Sequence, residues 1–423
     1  MFNFSHMGMK STRLAFLALA AAMGGFLFGY DTAVINGGEQ QIQSVWSLSS
    51  FVHGLVMSSA LWGTVIGAMG GGKVCDWIGR KPTLFWVGVL YLVSAVWSAV
   101  AFGPTDLMVA RFIGGLGVGA SSIAAPVYIA EISPAESRGR LGGLFQFNIV
   151  LGMVVSQFVN WALGGIGDNA WRWMLGAEAV PAFVFTVMTL FLSESPRWMG
   201  ERGTGNGESA FAEATAGERG RGFFSRANLR PILLAFFLAM FNQLSGINAM
   251  MYFAKRVFEM AGFTPQVALG TAAAMSVVLG LGTFAGLFLI DRLGRRTLLI
   301  VGSIGCIAAH FAAASAFVFD LGLLAAICIF QFIVFFAVGQ GVVIWVFISE
   351  IFPQRFRAQG QSWGSFTHWS FCAALTFVFP AMAASWAPAA IFSFFGTCLV
   401  VHLLWAIFIC PETKGKTLEE LER

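Results

Sequence analysis

The residues best placed to do chemistry are three ionisable side chains set inside apolar runs: Asp31, Arg111 and Glu178. A charge at membrane depth costs at least a few kcal/mol, so it is rare and generally marks a pathway or a relay. Neighbouring residues put the three at one depth. Asp31 stands about six residues before Gly37-Gly38, read as the outer end of its run, Arg111 about five after Asp106, and Glu178 about six after Arg172. At 1.5 Å of rise per residue, all three fall in the outer third of the membrane. One cation between two carboxylates is far less costly there than three isolated charges. Two readings stay open. The group is a static ion pair, or it is a proton-coupling site in which Arg111 and access to water control the charge on Asp31.

The elements that must position these groups are membrane helices. Hydrophobic residues make up 57 % of the 423, charged residues 11 %, and the mean hydropathy is +0.76. No soluble protein of this length needs so much apolar surface, so the chain is an all-α polytopic membrane protein. Twelve apolar segments can be cut, at about 14–36, 51–71, 83–102, 107–130, 141–163, 174–193, 231–254, 268–290, 298–319, 322–349, 361–384 and 388–409. The first is too long for a signal-peptide core and lacks a small-residue cleavage site, so it reads as a retained span. The 50 glycines suit close helix packing in lipid.

With both termini cytoplasmic, all of the 25 Lys and Arg face the cytoplasm except Arg172, Lys255, Arg256 and the span residue Arg111. The positive-inside rule therefore sets the orientation, and the basic residues need no nucleic-acid partner. The six cysteines show no zinc-like spacing and read as packing residues.

The chain also repeats itself. Asp76-Trp-Ile-Gly79-Arg80-Lys81 returns as Asp291-Arg-Leu-Gly294-Arg295-Arg296, Glu131-Ile-Ser-Pro134 with Arg138 returns as Glu350-Ile-Phe-Pro353 with Arg357, and Glu194-Ser-Pro-Arg197 is matched by Pro411-Glu412-Thr-Lys414. The offsets are about 215–219 residues, and each motif follows the corresponding helix. Two pseudo-symmetric six-helix bundles are expected: residues 1–193, a short cytoplasmic connector at 194–230, residues 231–410, and a cytoplasmic tail at 411–423. Two such halves around a midplane site form a transporter plan that works by alternating access.

Taken with Arg111-Phe-Ile-Gly-Gly, Gln243-Leu-Ser-Gly246-Ile-Asn248 and Pro411-Glu412-Thr-Lys414-Gly415, these motifs closely resemble the sugar porter family of the major facilitator superfamily, over about residues 14–423. The resemblance implies the major facilitator fold and transport of a monosaccharide, a hexose or pentose with a glucose-like one favoured. An Asp at the position of Asp31 resembles the proton-coupled symporters, where passive facilitators carry Asn. Glu178 likewise resembles the bacterial xylose–proton symporter more than the animal glucose facilitators.

A sugar ring needs amides, which donate and accept, and an aromatic platform. Span 7 offers Asn242, Gln243, Asn248 and Tyr252, and a helix broken near Gly246 would turn both Gln243 and Asn248 to the cavity. Span 5 offers Gln157, span 10 Gly341 and Trp345 on one face, span 11 His368 beside Trp369, and span 1 Phe28. By family motif Gln157, Gln243, Asn248 and Trp345 are sugar ligands. The alternative for any buried amide is an interhelical hydrogen bond, and for His368 a packing role. The resemblance also implies a cytoplasmic gate of ion pairs, made by Asp76, Arg80, Glu131, Arg138, Glu194 and Arg197 with Asp291, Arg295, Glu350 and Arg357, which holds an outward-open state. Helix capping and topogenic charge are the plain alternative.

Several positions depart from the pattern. Trp77 stands where Arg is expected, Ala337 where facilitators place Glu, and Leu279 near a common Asn; the connector is short. No nucleotide loop, metal cluster or paired nucleophile is present, so no enzyme activity and no cofactor are expected. The expectation is a monomeric inner-membrane symporter with sugar, protons and membrane lipid as its partners. A proton-independent uniporter is the alternative, and a transporter-like sugar sensor a remote one.

Overall fold

Twelve helices long and apolar enough to cross a bilayer dominate the computed structural model, which describes residues 11–134, 138–203, 223–353 and 356–414. These spans, numbered 1 to 12, are Arg13–Val45, Ser50–Ile78, Arg80–Val100, Pro104–Ile132, Gly143–Leu163, Ala170–Leu190, Leu229–Tyr252, Pro265–Ile290, Arg295–Val318, Gly322–Ile351, Gln359–Ser385 and Pro388–Phe408. Each overlaps one predicted segment. Without water in the bilayer core, every apolar run must close its own backbone hydrogen bonds, and the helix does so. Pro104, Pro265 and Pro388 open spans 4, 8 and 12, where a missing N–H is harmless. The Ser49 hydroxyl accepts from Val52 N–H to cap span 2.

The first span corrects one expectation. Gly37-Gly38 does not end it; the helix runs on to Val45. The glycines serve packing instead. Gly37 lies against Asn160 and Met174 and Gly38 against Trp171, closer than a Cβ would allow. The extra turns bring Glu39, Gln40 and Gln43 into the helix.

Three spans are interrupted at residues the sequence singled out. Span 6 divides into Ala170–Ala177 and Ala179–Leu190 around Glu178. Span 7 divides into Leu229–Leu244 and Ile247–Tyr252, with Gly246 at φ +86°, a left-handed conformation that favours glycine. Span 10 carries a π-turn at Ala337–Gly341, a distortion common at functional sites.

Span 1 packs on spans 4 and 5, and span 4 on spans 2 and 3. In the second half span 7 packs on span 11, and span 9 on spans 10 and 12. The halves meet along spans 2 and 11 and spans 5 and 8, with Gly54 tight against the Phe377 backbone. The apolar core is unevenly divided. Toward the face opposite the termini, here the far face, one core is shared: Tyr30, Val34, Met57, Tyr252, Phe253 and Phe379 belong to it. Toward the termini face each half has its own, Leu84, Tyr128 and Phe185 in one and Leu298, Phe347 and Phe352 in the other. The apolar core is thus continuous between the halves on the far side and divided toward the other. Large apolar side chains such as Phe102, Phe183, Phe288 and Leu323 are exposed, as lipid-facing residues are.

Candidate functional site

Span 1 is the element on which the site is assembled. Phe28, Asp31, Thr32, Asn36 and Glu39 follow one another at helical spacing, so they line one stripe of a single rigid helix. Each meets a different partner.

Asp31 meets Arg111 of span 4. Arg111 Nη1 donates to Asp31 Oδ1 at 2.5 Å and Nη2 to the Asp31 carbonyl at 3.0 Å. Glu178, at the interruption of span 6, completes the cluster with its carboxyl on that of Asp31. All three are at most 2 % exposed. Two carboxyls in contact can hydrogen-bond only if one proton lies between them. With that proton and the guanidinium the cluster is neutral, and without it the cluster carries one uncompensated buried charge. The sequence placed the three at one depth, and the structure brings them into contact. Tyr252, from the second half, lies beside Thr32, the residue next to Asp31 on span 1, so a helix of the opposite bundle approaches the cluster.

Asn36 meets span 5. Its Nδ2 donates to Gln157 Oε1 at 3.0 Å, and Asn160 Nδ2 lies 3.5 Å from the same oxygen while donating to Val34 O at 3.0 Å. Gln157 Nε2 and Asn160 Oδ1 are buried and have no partner among the described residues. One is a donor and the other an acceptor, the complement of a hydroxyl group. Leaving such groups buried and unpaired costs about 1–3 kcal/mol each, which a bound hydroxyl would recover.

The second half supplies the other wall. Gln243 Nε2 donates to Asn242 Oδ1 at 3.2 Å and lies 3.1 and 3.0 Å from the two ring nitrogens of His368. Asn248 Nδ2 donates to Gln243 Oε1 at 2.6 Å, across the break at Gly246. The left-handed glycine thus brings together two amides that a continuous helix would hold apart. Asn242 links Gln243 to span 10: while its Oδ1 accepts from Gln243, its Nδ2 donates to the Gln340 carbonyl in the π-turn at 3.4 Å. An aromatic train continues the wall, Trp345 to His368 at 4.9 Å, His368 to Trp369 at 5.0 Å, and Trp369 to Phe28 of span 1 at 5.6 Å between centroids. Phe28, Asn248, Gly341 and Trp345 keep part of their surface accessible, whereas Gln157 and Gln243 are buried behind them.

Residues that the sequence reading left without a role seal the far face. Arg256, after span 7, donates from Nε to Glu39 Oε1 and from Nη2 to Glu39 Oε2, both at 2.8 Å, and from Nη2 to Gln43 at 2.6 Å. Glu39 also meets His53 Nε2 at 2.9 Å, both side chains fully buried. Asn36 Oδ1 accepts from the Lys255 backbone N–H at 2.9 Å, and Gln40 bonds to Glu259. Every one of these except His53–Glu39 joins the two halves. Ending span 1 at Gly37-Gly38 had turned Glu39 into a loop residue; its place three residues beyond Asn36 was the available signal.

The charged motifs on the termini face brace each half internally. Arg80 holds Glu131 through Nε and Nη2 at 3.0 and 2.9 Å, and Glu194 accepts from the Arg80 and Lys81 backbone N–H groups at the N-terminus of span 3. The second half repeats this: Arg295 holds Glu350 at 3.1 and 2.7 Å, and Glu412 accepts from Arg295 and Arg296 N–H. Gly79 at φ +102° and Gly294 at φ +89° make the turns against which the two carboxylates sit. Asp76 pairs with Arg80 at 3.1 Å from an exposed position, and Arg197 is exposed. These pairs join helices of one half, not the two halves to each other. The side chains of Arg138, Asp291 and Arg357 lie outside the described residues, as do connector residues 204–222.

Comparison with known proteins gives one answer. The family model described as "Sugar (and other) transporter" matches residues 17–423. The arabinose-proton symporter of Bacillus subtilis (strain 168) is 33 % identical, covering 96 % of this chain and 94 % of that protein. The D-xylose-proton symporter of Escherichia coli (strain K12) is 31 % identical over 98 % of this chain and 96 % of its own length. The solved inward open conformation of the xylose transporter XylE from E. coli superposes with a TM-score of 0.84 at 30 % identity, over 97 % of this chain and 99 % of that one.

Proposed function

The chain belongs to the sugar transporter family, with the major facilitator fold and no enzyme activity, and on that premise we propose that it carries a monosaccharide and a proton together across the inner membrane by alternating access. The observation that carries this reading is the joining of two sites on one helix. Span 1 holds Asp31 in a cluster whose neutrality needs one proton, and within two turns holds Phe28 and Asn36 against a set of amides and aromatic rings suited to a sugar. A helix that shifts when sugar binds must also move Asp31 relative to Arg111 and Glu178. That is a physical route for coupling.

The sugar is held by Gln157, Asn160, Gln243 and Asn248, with Trp345 as the platform against its C–H face. His368 orients Gln243, while Asn242 and Gly341 shape the wall. The relatives' names speak for pentoses beside the glucose-like sugar favoured by the motifs. With both termini in the cytoplasm, the sealed far face is the outer one and the side where the core divides faces inward. The termini-face clusters cap spans 3 and 9 and keep each half rigid while the halves rock.

The test is proton movement driven by sugar in proteoliposomes containing the purified chain, with arabinose, xylose, glucose and galactose supplied in turn. Alkalinisation of the sugar-containing side on addition of one of these sugars is expected. Sugar equilibration with no proton movement would make this a uniporter and leave Asp31–Arg111 a structural pair.

A further inference from the structure

We propose that a groove at the termini-face end of spans 7 and 12 is a binding site for one anionic phospholipid. The groove has a volume of about 470 Å³ and is lined by Arg226, Leu229, Arg230, Leu233, Phe237 and Trp405, with Leu234 and Ile409 at its edges. The order of these residues matters. Arg230, Leu233 and Phe237 recur at three or four residues on span 7, and Arg226 precedes them in a 3-10 turn, so the lining runs from the water end of the helix into the membrane. Charge comes first and apolar surface follows over about 10 Å, at 1.5 Å per residue. This is the layout of a phospholipid, with its headgroup phosphate outermost and its acyl chain within.

The chemistry fits at each level. Both arginines are exposed, and neither has a salt bridge or side-chain hydrogen bond among the described residues. Two guanidiniums four residues apart with no such partner among the described residues can take a phosphate between them, and each basic group near a membrane surface attracts anionic lipid. Leu229, Leu233 and Ile409 are 52, 43 and 57 % exposed, an apolar surface that only a lipid chain would cover in a membrane. Trp405 is the second, independent sign. It is 6 % exposed and held by stacking on His402 at 5.8 Å, yet its indole N–H has no partner among the described residues. An ester carbonyl below the headgroup supplies the missing acceptor. A soluble phosphate would use the arginines alone and leave both the apolar wall and the indole N–H unsatisfied, so the occupant is the lipid.

The experiment is native mass spectrometry of the full chain in detergent, titrated with phosphatidylglycerol or with phosphatidylcholine of the same acyl chains. One phosphatidylglycerol is expected to bind more tightly than phosphatidylcholine. The Arg226→Gln/Arg230→Gln variant should weaken that binding about 30-fold, two surface charges being involved. Trp405→Phe keeps an aromatic ring, loses the N–H, and should weaken it several-fold. Arg292→Gln, on the same face but outside the groove, should bind as the wild type does. Equal binding of the two lipids, or unchanged phosphatidylglycerol binding in the double-arginine variant, overturns the proposal. So does full displacement by glycerol phosphate, which would make the site one for a free anion. Gel filtration of each variant checks the fold; should the double variant aggregate, the single Arg226→Gln and Trp405→Phe variants decide, and wild-type binding in both overturns the site.

Discussion

Arg256→Gln should open the far face. In the structure Glu39 is fully buried, and Arg256 holds both its oxygens at 2.8 Å from the opposite half, with the Arg256 side chain 17 % exposed. Removing one partner of a buried pair costs about 3–5 kcal/mol, and the low end applies here because Glu39 keeps His53 Nε2 at 2.9 Å. When the far face opens, water reaches the same pair, and an exposed pair contributes only about 0–1 kcal/mol. The sealed state therefore loses at least about 2 kcal/mol relative to the open one, which shifts their ratio by roughly 30-fold. Glu39→Gln should shift it less, since the arginine left behind is partly solvated. Combining Glu39→Gln with Arg256→Gln should recover part of the loss, because neither half then buries a lone charge. Spin labels at Ser44 and Thr264, exposed far-face positions on opposite halves, report the separation by pulsed electron resonance. A longer-distance population should grow in the order wild type, Glu39→Gln, Arg256→Gln. An unchanged distance distribution in Arg256→Gln would refute the reasoning that this pair holds the halves together.

Asp31→Asn leaves Arg111 and Glu178 as a neutral pair that needs no proton. Sugar exchange between equal pools should persist in proteoliposomes while accumulation disappears; at about 2.3 kcal/mol per 100 mV, one proton per sugar would otherwise sustain roughly 50-fold accumulation. Retained accumulation in the Asp31→Asn variant would remove the cluster from coupling. Trp345→Ala should weaken sugar binding more than ten-fold by calorimetry with the protein still folded, and Gln243→Ala should reduce binding and uptake together; full affinity in either excludes that residue from the site. The Arg80→Ala/Arg295→Ala pair should lower the thermal stability of both halves, since each arginine braces a buried or half-buried carboxylate, and an unchanged melting profile would count against the bracing role. For Glu412, burial raises the carboxyl but the backbone N–H groups of Lys414, Arg295, Arg296 and Thr413 outweigh it and hold it below its ordinary value of 4.5. A carboxylate depressed in the folded state stabilises above the unfolded pKa and loses that contribution as pH falls through the folded one. The stability gap between wild type and Glu412→Gln should thus narrow from pH 6 toward pH 3, and a gap that widened would contradict the assignment.

Much of this protein is legible in its sequence because the bilayer leaves few choices. Backbone groups in hydrocarbon must pair within their own segment, so twelve apolar runs became twelve spans, and the repeated Asp-x-x-Gly-Arg and Glu-x-x-Pro motifs exposed the duplication. The cost of a buried charge made Asp31, Arg111 and Glu178 stand out, and that cost argued that they meet, although the depth read for Asp31 rested on an end of span 1 that the helix passes. Gly246 was readable as a break because only glycine takes that backbone conformation without strain.

Other features depended on which helices lie side by side. Gly37-Gly38 reads as a stop in one dimension, whereas against Trp171 and Asn160 it is a close-packing surface, and the helix continues. Glu39, His53 and Arg256 are each ordinary polar residues in the sequence; only their convergence across the interface turns them into a seal. Asn160, Gln340 and Asn242 owe their partners to the π-turn and to contacts between helices more than 90 residues apart in the chain. The termini-face charges could be read as interhelical pairs in each half, but which helices each pair joins was set by packing. Local cost selects which residues are exceptional, and tertiary packing alone decides whom they meet.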